Sequence, residues 1–187
     1  MRNSKFRPLV AMLALLVGCV PCLQPIYTDR DLIFEPELLG TWSEEDEDET
    51  WTFSAHDPRS YRLVIKNDEG AEGVFDAHLA EIGGKRFLDL FPTELDPDMN
   101  SFYAFHLLPA HTFYLVQQVE PRLRISYMEP EWLSDYVDEN PTAIRHEKID
   151  DRVVLTASTD ELQEFALGHI ETPGAYSEPS EMLRVRD

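Results

Sequence analysis

Between residues 50 and 128 the chain repeats one pattern: short runs rich in β-branched and aromatic residues, separated by short links of turn residues. The runs fall at 50–54, 60–66, 73–82, 85–91, 101–108, 112–119 and 122–128. Gly83-Gly84 is a two-residue hairpin signal, and Pro109-Ala110-His111 and Glu120-Pro121 read as the next tight connections. Strands linked this closely pair antiparallel with their sequence neighbours, because parallel pairing needs a long crossover. Such a meander has two edges, which must close on each other or be covered. The expected fold is therefore mainly β, an antiparallel meander forming a barrel or a strongly curved sheet.

The alternation adds a second constraint. In 101–108, Phe102, Ala104, His106 and Leu108 share one face, and Tyr103, Phe105 and Leu107 the other. In 85–91, Phe87, Asp89 and Phe91 oppose Arg86, Leu88 and Leu90. A sheet apolar on both faces needs a cover on its outer side. Two short C-terminal helices are the candidates, which makes the class α+β. One lies within 129–139, with Trp132, Leu133, Tyr136 and Val137 as its apolar stripe, ended by Asn140-Pro141. The other begins at Ser158, with Glu161 three residues on completing a capping box before Leu162, Phe165 and Ala166. Residues 144–149 and 152–156 suit a hairpin over Asp150-Asp151, and the chain from Pro173 reads as a loosely attached tail. Residues 37–187 form one domain on this reading, preceded by a proline-punctuated tether over 19–36.

Gly40-Thr41-Trp42, at the start of the first strand, resembles the G-x-W signature that opens lipocalin and related calycin barrels. The resemblance implies a calycin-like barrel with Trp42 plugging its base and Gly40 letting the chain pass close by. The Thr-Asp-Tyr-type motif of lipocalins proper is missing.

The N-terminus sets location. Arg2, Lys5 and Arg7 precede the apolar run Leu9–Val17, which is too short to span a bilayer, and Leu16-Val17-Gly18-Cys19 follows. These residues resemble the signal peptide and lipobox of bacterial lipoprotein precursors. The resemblance implies cleavage after Gly18, removal of 1–18 and lipidation of Cys19, which would then hold the protein to a membrane of the bacterial cell envelope. Val20 stands where Asp would favour inner-membrane retention, so the expected site is the outer membrane. Cys22 is left as an odd thiol. The chain has sixteen basic and thirty-six acidic residues, a net charge of −20, and three of the basic ones precede the cut. Such a surface repels phosphate backbones, so nucleic acid is not an expected partner.

Few residues suggest chemistry. Asp76, His78, Asp89 and His106 are polar positions inside strand-like runs, and Asp76 and His78 share a face. If those faces meet inside a barrel, they form a polar cluster in an apolar pocket able to ligate a metal or to act as acid and base. The ordinary alternative has Asp76 and His78 in solvent and Asp89 bonding a turn. His56, His111 and His146 fall in loops or loop edges, and Glu44 to Glu49 reads as a solvated acidic hairpin loop. No metal-ligand spacing, phosphate loop or nucleophile elbow occurs, so no cofactor and no metal is expected. The leading expectation is a non-enzymatic envelope lipoprotein that binds an apolar small ligand or an envelope protein. A filled core would favour a protein partner, and an apolar cavity would favour a ligand. The alternative is an envelope hydrolase using the His/Asp cluster in a barrel pocket.

Overall fold

A computed structural model describes residues 19–93 and 99–185. Its strands are β1 (Leu32–Ile33), β2 (Gly40–Glu44), β3 (Thr50–Asp57), β4 (Ser60–Lys66), β5 (Glu72–Ile82), β6 (Lys85–Pro92), β7 (Thr112–Gln118), β8 (Leu123–Tyr127), β9 (His146–Ile149), β10 (Arg152–Leu155) and β11 (Ser180–Arg184). The helices are α1 (Ser101–Ala104), α2 (Pro130–Glu139) and α3 (Thr159–Gly168). Strands β2 to β8 follow one another around an antiparallel ring, and β11 enters between β8 and β2 while β5 pairs with β6. The result is a closed eight-strand barrel of calycin-like form, with no free edge in the ring. The connections 44–50 and 92–112 lie at one end, here called the mouth. Gly40, the 118–123 turn and the end of β11 lie at the base.

The period of two decides what goes inside. Trp42, Trp51, Phe53, Tyr61, Leu63, Leu79, Leu88, Tyr114 and Ile125 point inward and are buried. Their rings meet across the interior: Trp51 lies edge-on to Tyr114 at 5.6 Å, and Phe53 edge-on to Tyr61 at 6.1 Å. Side chains therefore fill the barrel. At the base Gly40 has φ +120°, a conformation open to glycine. Trp42 follows it, fully buried, with its indole N–H donating to the Leu38 carbonyl at 2.9 Å. The Arg184 guanidinium stacks over that indole at 4.4 Å and donates to the carbonyls of Leu39 and Glu37.

Phe87, Phe113, Leu115, Ala80 and Ile82 point outward and form a second core with Leu133 and Val137 of α2 and Leu162, Phe165 and Ala166 of α3. The cover expected from the doubly apolar strands is thus present. Both helices start as their sequence signals indicate, and α2 also stops where expected. Pro130 opens α2 and Asn140 ends it, while the Ser158–Glu161 capping box opens α3. Gly83 and Gly84, at φ 58° and 74°, make the two-residue turn between β5 and β6. β9 and β10 pair as a separate hairpin.

Three expectations need correction. Residues 101–108 are not a strand: α1 and an irregular stretch occupy them, because β6 pairs directly with β7 and the barrel has no opening for another strand. The connection 93–111 is consequently long, with Pro109-Ala110-His111 only its last part. The chain after Pro173 is not a loose tail, since Ser180–Arg184 supplies the strand that closes the barrel. Order also begins well before Glu37. Residues 19–36 form a strap. Its Val20, Cys22 and Ile26 are buried against the outer face of β5–β7, and toward the base the strap joins the sheet, where β1 pairs with β5 (Leu32 with Ala80, Ile33 with Leu79) and Ile33 and Phe34 pack on the interior core. The Cys22 backbone exchanges hydrogen bonds with His111 at 2.8 and 2.9 Å, and at the base the Arg86–Glu35 ion pair at 2.7 Å holds the strap's other end. Among the described residues no helix is long and apolar enough to cross a membrane.

Replacing Trp42 with Ala should destabilise the protein by about 3–5 kcal/mol, as expected for a large buried aromatic. Urea unfolding measures this, and a loss under about 0.5 kcal/mol, the scale of surface substitutions, would remove Trp42 from its role as base plug.

Candidate functional site

Three of the four sequence candidates gather on one surface, but it is the outside of the barrel. On β5, Ala77 and Leu79 point inward, which turns Asp76 and His78 outward. On β6, Leu88 and Leu90 point inward, which turns Asp89 outward with Phe87 and Phe91. His78 and Asp89 are direct cross-strand partners, and Asp76 stands opposite Phe91. The expectation of a cluster in a barrel pocket is corrected: the strand alternation sends these polar groups to the face opposite the filled interior.

Asp89 is fully buried there, beneath the strap. Its Oδ2 accepts the Ile26 N–H at 3.1 Å, and its Oδ1 lies 2.7 Å from His111 Nδ1. The His111 ring in turn packs on Phe91 at 4.5 Å. Next to it, Tyr27 stacks on His78 at 4.6 Å, with 3.1 Å between its hydroxyl and His78 Nδ1. Burial pushes the Tyr27 phenol up to about 12, with Asp89 and Asp76 adding to the shift, so it stays protonated. Burial also holds His78 below the ordinary histidine value of 6.5, against the opposing pull of Asp89, Asp76 and Asp57. Sequence reasoning missed His111 and Tyr27 in this cluster. Only the path of the strap brings them to it, and nothing local to either residue signals that path.

An aspartate that orients a histidine is half of an acid–base constellation. Here both Asp89 oxygens serve contacts that fasten the strap and the start of β7 to the sheet. The neighbouring Cys22 thiol is buried, its proton held by desolvation and by the nearby Asp89 charge. His106 lies elsewhere, on the 93–111 connection between the rings of Phe102 and Phe105 at 5.0 and 5.6 Å. Among the described residues no group of three or more His, Cys, Asp or Glu is placed to hold a metal ion.

Two further features complete the candidate surface. At the mouth, the half-buried Cys19 packs against the interior core, its Sγ 2.9 Å from the Tyr114 hydroxyl. Burial raises both groups above their ordinary values, so both are protonated near neutrality. On the outer face an open groove of about 520 Å3 runs past Gly84, Arg86, Leu115, Ser126, Tyr176 and Ser177. Within it the Gln117 amide lies 2.7 Å from the Ser126 hydroxyl. Comparison with protein-family models, with curated proteins and with solved structures gives no match for this chain.

Asp89→Ala would strand the buried Ile26 N–H, at about 1–3 kcal/mol, and release the part-buried His111 ring from its partner. Urea unfolding should record that loss together with faster hydrogen exchange at the Ile26 amide, and an unchanged midpoint would show that the strap does not depend on this carboxylate. The His78 shift gives a separate pH dependence. Its folded pKa is below the unfolded one, so the unfolded state binds the proton first, and stability present above pH 6.5 falls as the pH drops below it. His78→Asn should flatten the stability profile in that window, while any loss from protonating carboxylates appears at lower pH. An unaltered slope would show that His78 does not carry it.

Proposed function

We propose that this protein is a lipid-anchored component of the bacterial cell envelope, held through Cys19 to the outer membrane, and that it works as a non-enzymatic module binding a protein partner on its exterior. The observation that carries the choice of partner over apolar cargo is the filled interior. Trp42, Trp51, Phe53, Tyr61 and Tyr114 occupy the space in which a carrier barrel would hold its ligand. The lipobox residues Leu16-Val17-Gly18-Cys19 support the anchoring, and the outward use of Asp89 for structure speaks for a scaffold over a hydrolase.

The Cys19 contact is compatible with acylation. A thioether sulfur has no proton to donate but still accepts weakly, so Tyr114 can supply the hydrogen bond after modification. The groove at Gln117, Ser126 and Ser177 offers polar groups to an exposed polypeptide segment, in keeping with a surface-binding role.

In a bacterial host, the wild-type chain should fractionate with membranes and Cys19→Ala should accumulate as an unprocessed or soluble form. Native mass spectra of the detergent-extracted wild type should show the chain from Cys19 with its acyl groups and no non-covalent small molecule. Unchanged membrane fractionation of Cys19→Ala would remove the anchoring claim. A reproducible extra mass released on unfolding would return the barrel to the carrier class.

A further inference from the structure

The mouth carries a cluster of apolar side chains that no other described residue covers. Phe102 is 75% exposed, Tyr103 61%, Phe105 82% and Leu108 75%, with Leu107 at 39%. Five of the eight large exposed hydrophobics among the described residues thus lie within seven consecutive positions, and a sixth, Leu23, follows the Cys22 that pairs with His111. A contiguous patch of this kind marks an interaction surface. It is not collapsed chain: the Asn100 side-chain oxygen accepts the backbone N–H groups of Phe102 and Tyr103 at 3.0 and 3.2 Å, which holds the turn that presents the rings.

We propose that residues 102–108 dock into the interfacial layer of a lipid bilayer whose headgroups are zwitterionic and carry no net charge, next to the anchor at Cys19. The orientation rests on the acylation of Cys19 proposed above. Three observations select a bilayer as the occupant. The first is where the chain outside the described residues ends: residues 1–18 lead to Cys19, which sits at the mouth against Tyr114 of β7, on the strand that leaves the exposed connection. The second is slack. Val20 is buried and Cys22 is locked to both His111 and Leu155, so a lipid on Cys19 would hold the mouth itself at the membrane. The third is charge. Residues 99–119 contain no Asp, Glu, Lys or Arg in a chain where 28% of residues are charged. Phenylalanine, tyrosine and leucine without charge suit the interfacial layer, where ring faces meet acyl chains and the tyrosine hydroxyl meets water.

The acidic loop Glu44 to Glu49 opens at the same end but on the far side of it. In the ring order β2 and β3 stand across the barrel from β6 and β7. A tilt toward the β6–β7 side seats the apolar connection while the carboxylates stay in water. Those charges also define the headgroup class, since anionic lipid would repel the mouth at low salt.

The test uses the full chain expressed in bacteria, purified and reconstituted in phosphatidylcholine vesicles, with Phe105→Trp as reporter. Of the three native tryptophans Trp42 and Trp51 are buried and Trp132 is half-buried on α2, so the wild-type protein is measured in parallel and its quenching subtracted. Lipid brominated near the headgroup end of its acyl chains should quench the added emission by roughly half, more than lipid brominated near the chain ends, as interfacial seating requires. Partial replacement by phosphatidylglycerol should weaken the quenching at low salt and leave it intact at high salt. Absence of quenching in vesicle-bound protein whose mass shows acylated Cys19 would overturn the proposal, as would cross-linking of residue 105 to a protein in intact envelopes. Quenching that requires anionic lipid would overturn its headgroup class. Quenching in protein without acyl mass would uphold the docking surface and refute the anchor, so the two readings fail separately.

Discussion

The seam between the first and last barrel strands is the contact on which the remaining architecture depends. Trp42 of β2 pairs in register with Arg184 of β11, and the guanidinium lies over the indole at 4.4 Å. The same guanidinium donates to carbonyls of the 36–39 turn and to the Glu120 carboxylate at 2.7 Å, so one side chain joins the C-terminal strand, the chain entering β2 and the β7–β8 turn. Arginine suits this place because its planar fork can stack and donate in several directions at once. Without β11 the ring has two exposed edges, at β2 and at β8. Because α2, the β9–β10 hairpin and α3 all lie between β8 and β11, the seam ties barrel closure to the docking of the outer layer.

The outer layer solves a problem created by the strands themselves. β5, β6 and β7 carry apolar residues on both faces, so closing the barrel buries only half of their apolar surface. The two ends of the chain bury the rest. The strap supplies Val20, Cys22 and Ile26, and the helices supply their stripes. Asp89 belongs to this arrangement. A buried carboxylate is costly unless its lone pairs are used, and here they take a strap amide and a histidine from the start of β7. The polar residue that the sequence shows between two phenylalanines serves as the pin between the barrel and its cover.

What the sequence reveals follows the range of the interaction responsible. The Ser158–Glu161 box, the Gly83-Gly84 turn and the alternation of β3 to β8 are local, and each appears in the structure where its residues lie. The closing strand is not legible in this way. In Ser-Glu-Met-Leu-Arg only Met182 is buried, and a single inward residue makes no alternating pattern. Residues 101–108 fail in the opposite sense. Their alternation resembles a strand, but a strand needs a partner edge, and the direct pairing of β6 with β7 leaves none. The cluster around Asp89 was half visible: the period of two placed Asp76, His78 and Asp89 on outward or inward faces as groups, while the choice of face and the arrival of Tyr27 and His111 depend on closure and on the strap.

The position of the strap also changes what an anchor at Cys19 would mean. A proline-rich tether over 19–36 would let the barrel range up to about 60–65 Å from its attachment, at roughly 3.3–3.6 Å per extended residue. In the folded chain that reach is used up along the barrel wall, and Cys22 already stands in two backbone pairings. With only Val20 and Pro21 between, a lipid at Cys19 would set orientation as well as location. The mouth, with its exposed aromatic connection, then faces the bilayer, and the base and the groove at Arg86 face away from it. A module held this closely would sample only partners within about its own diameter of the membrane, and with the mouth seated as proposed its working surface would lie on the barrel wall or base.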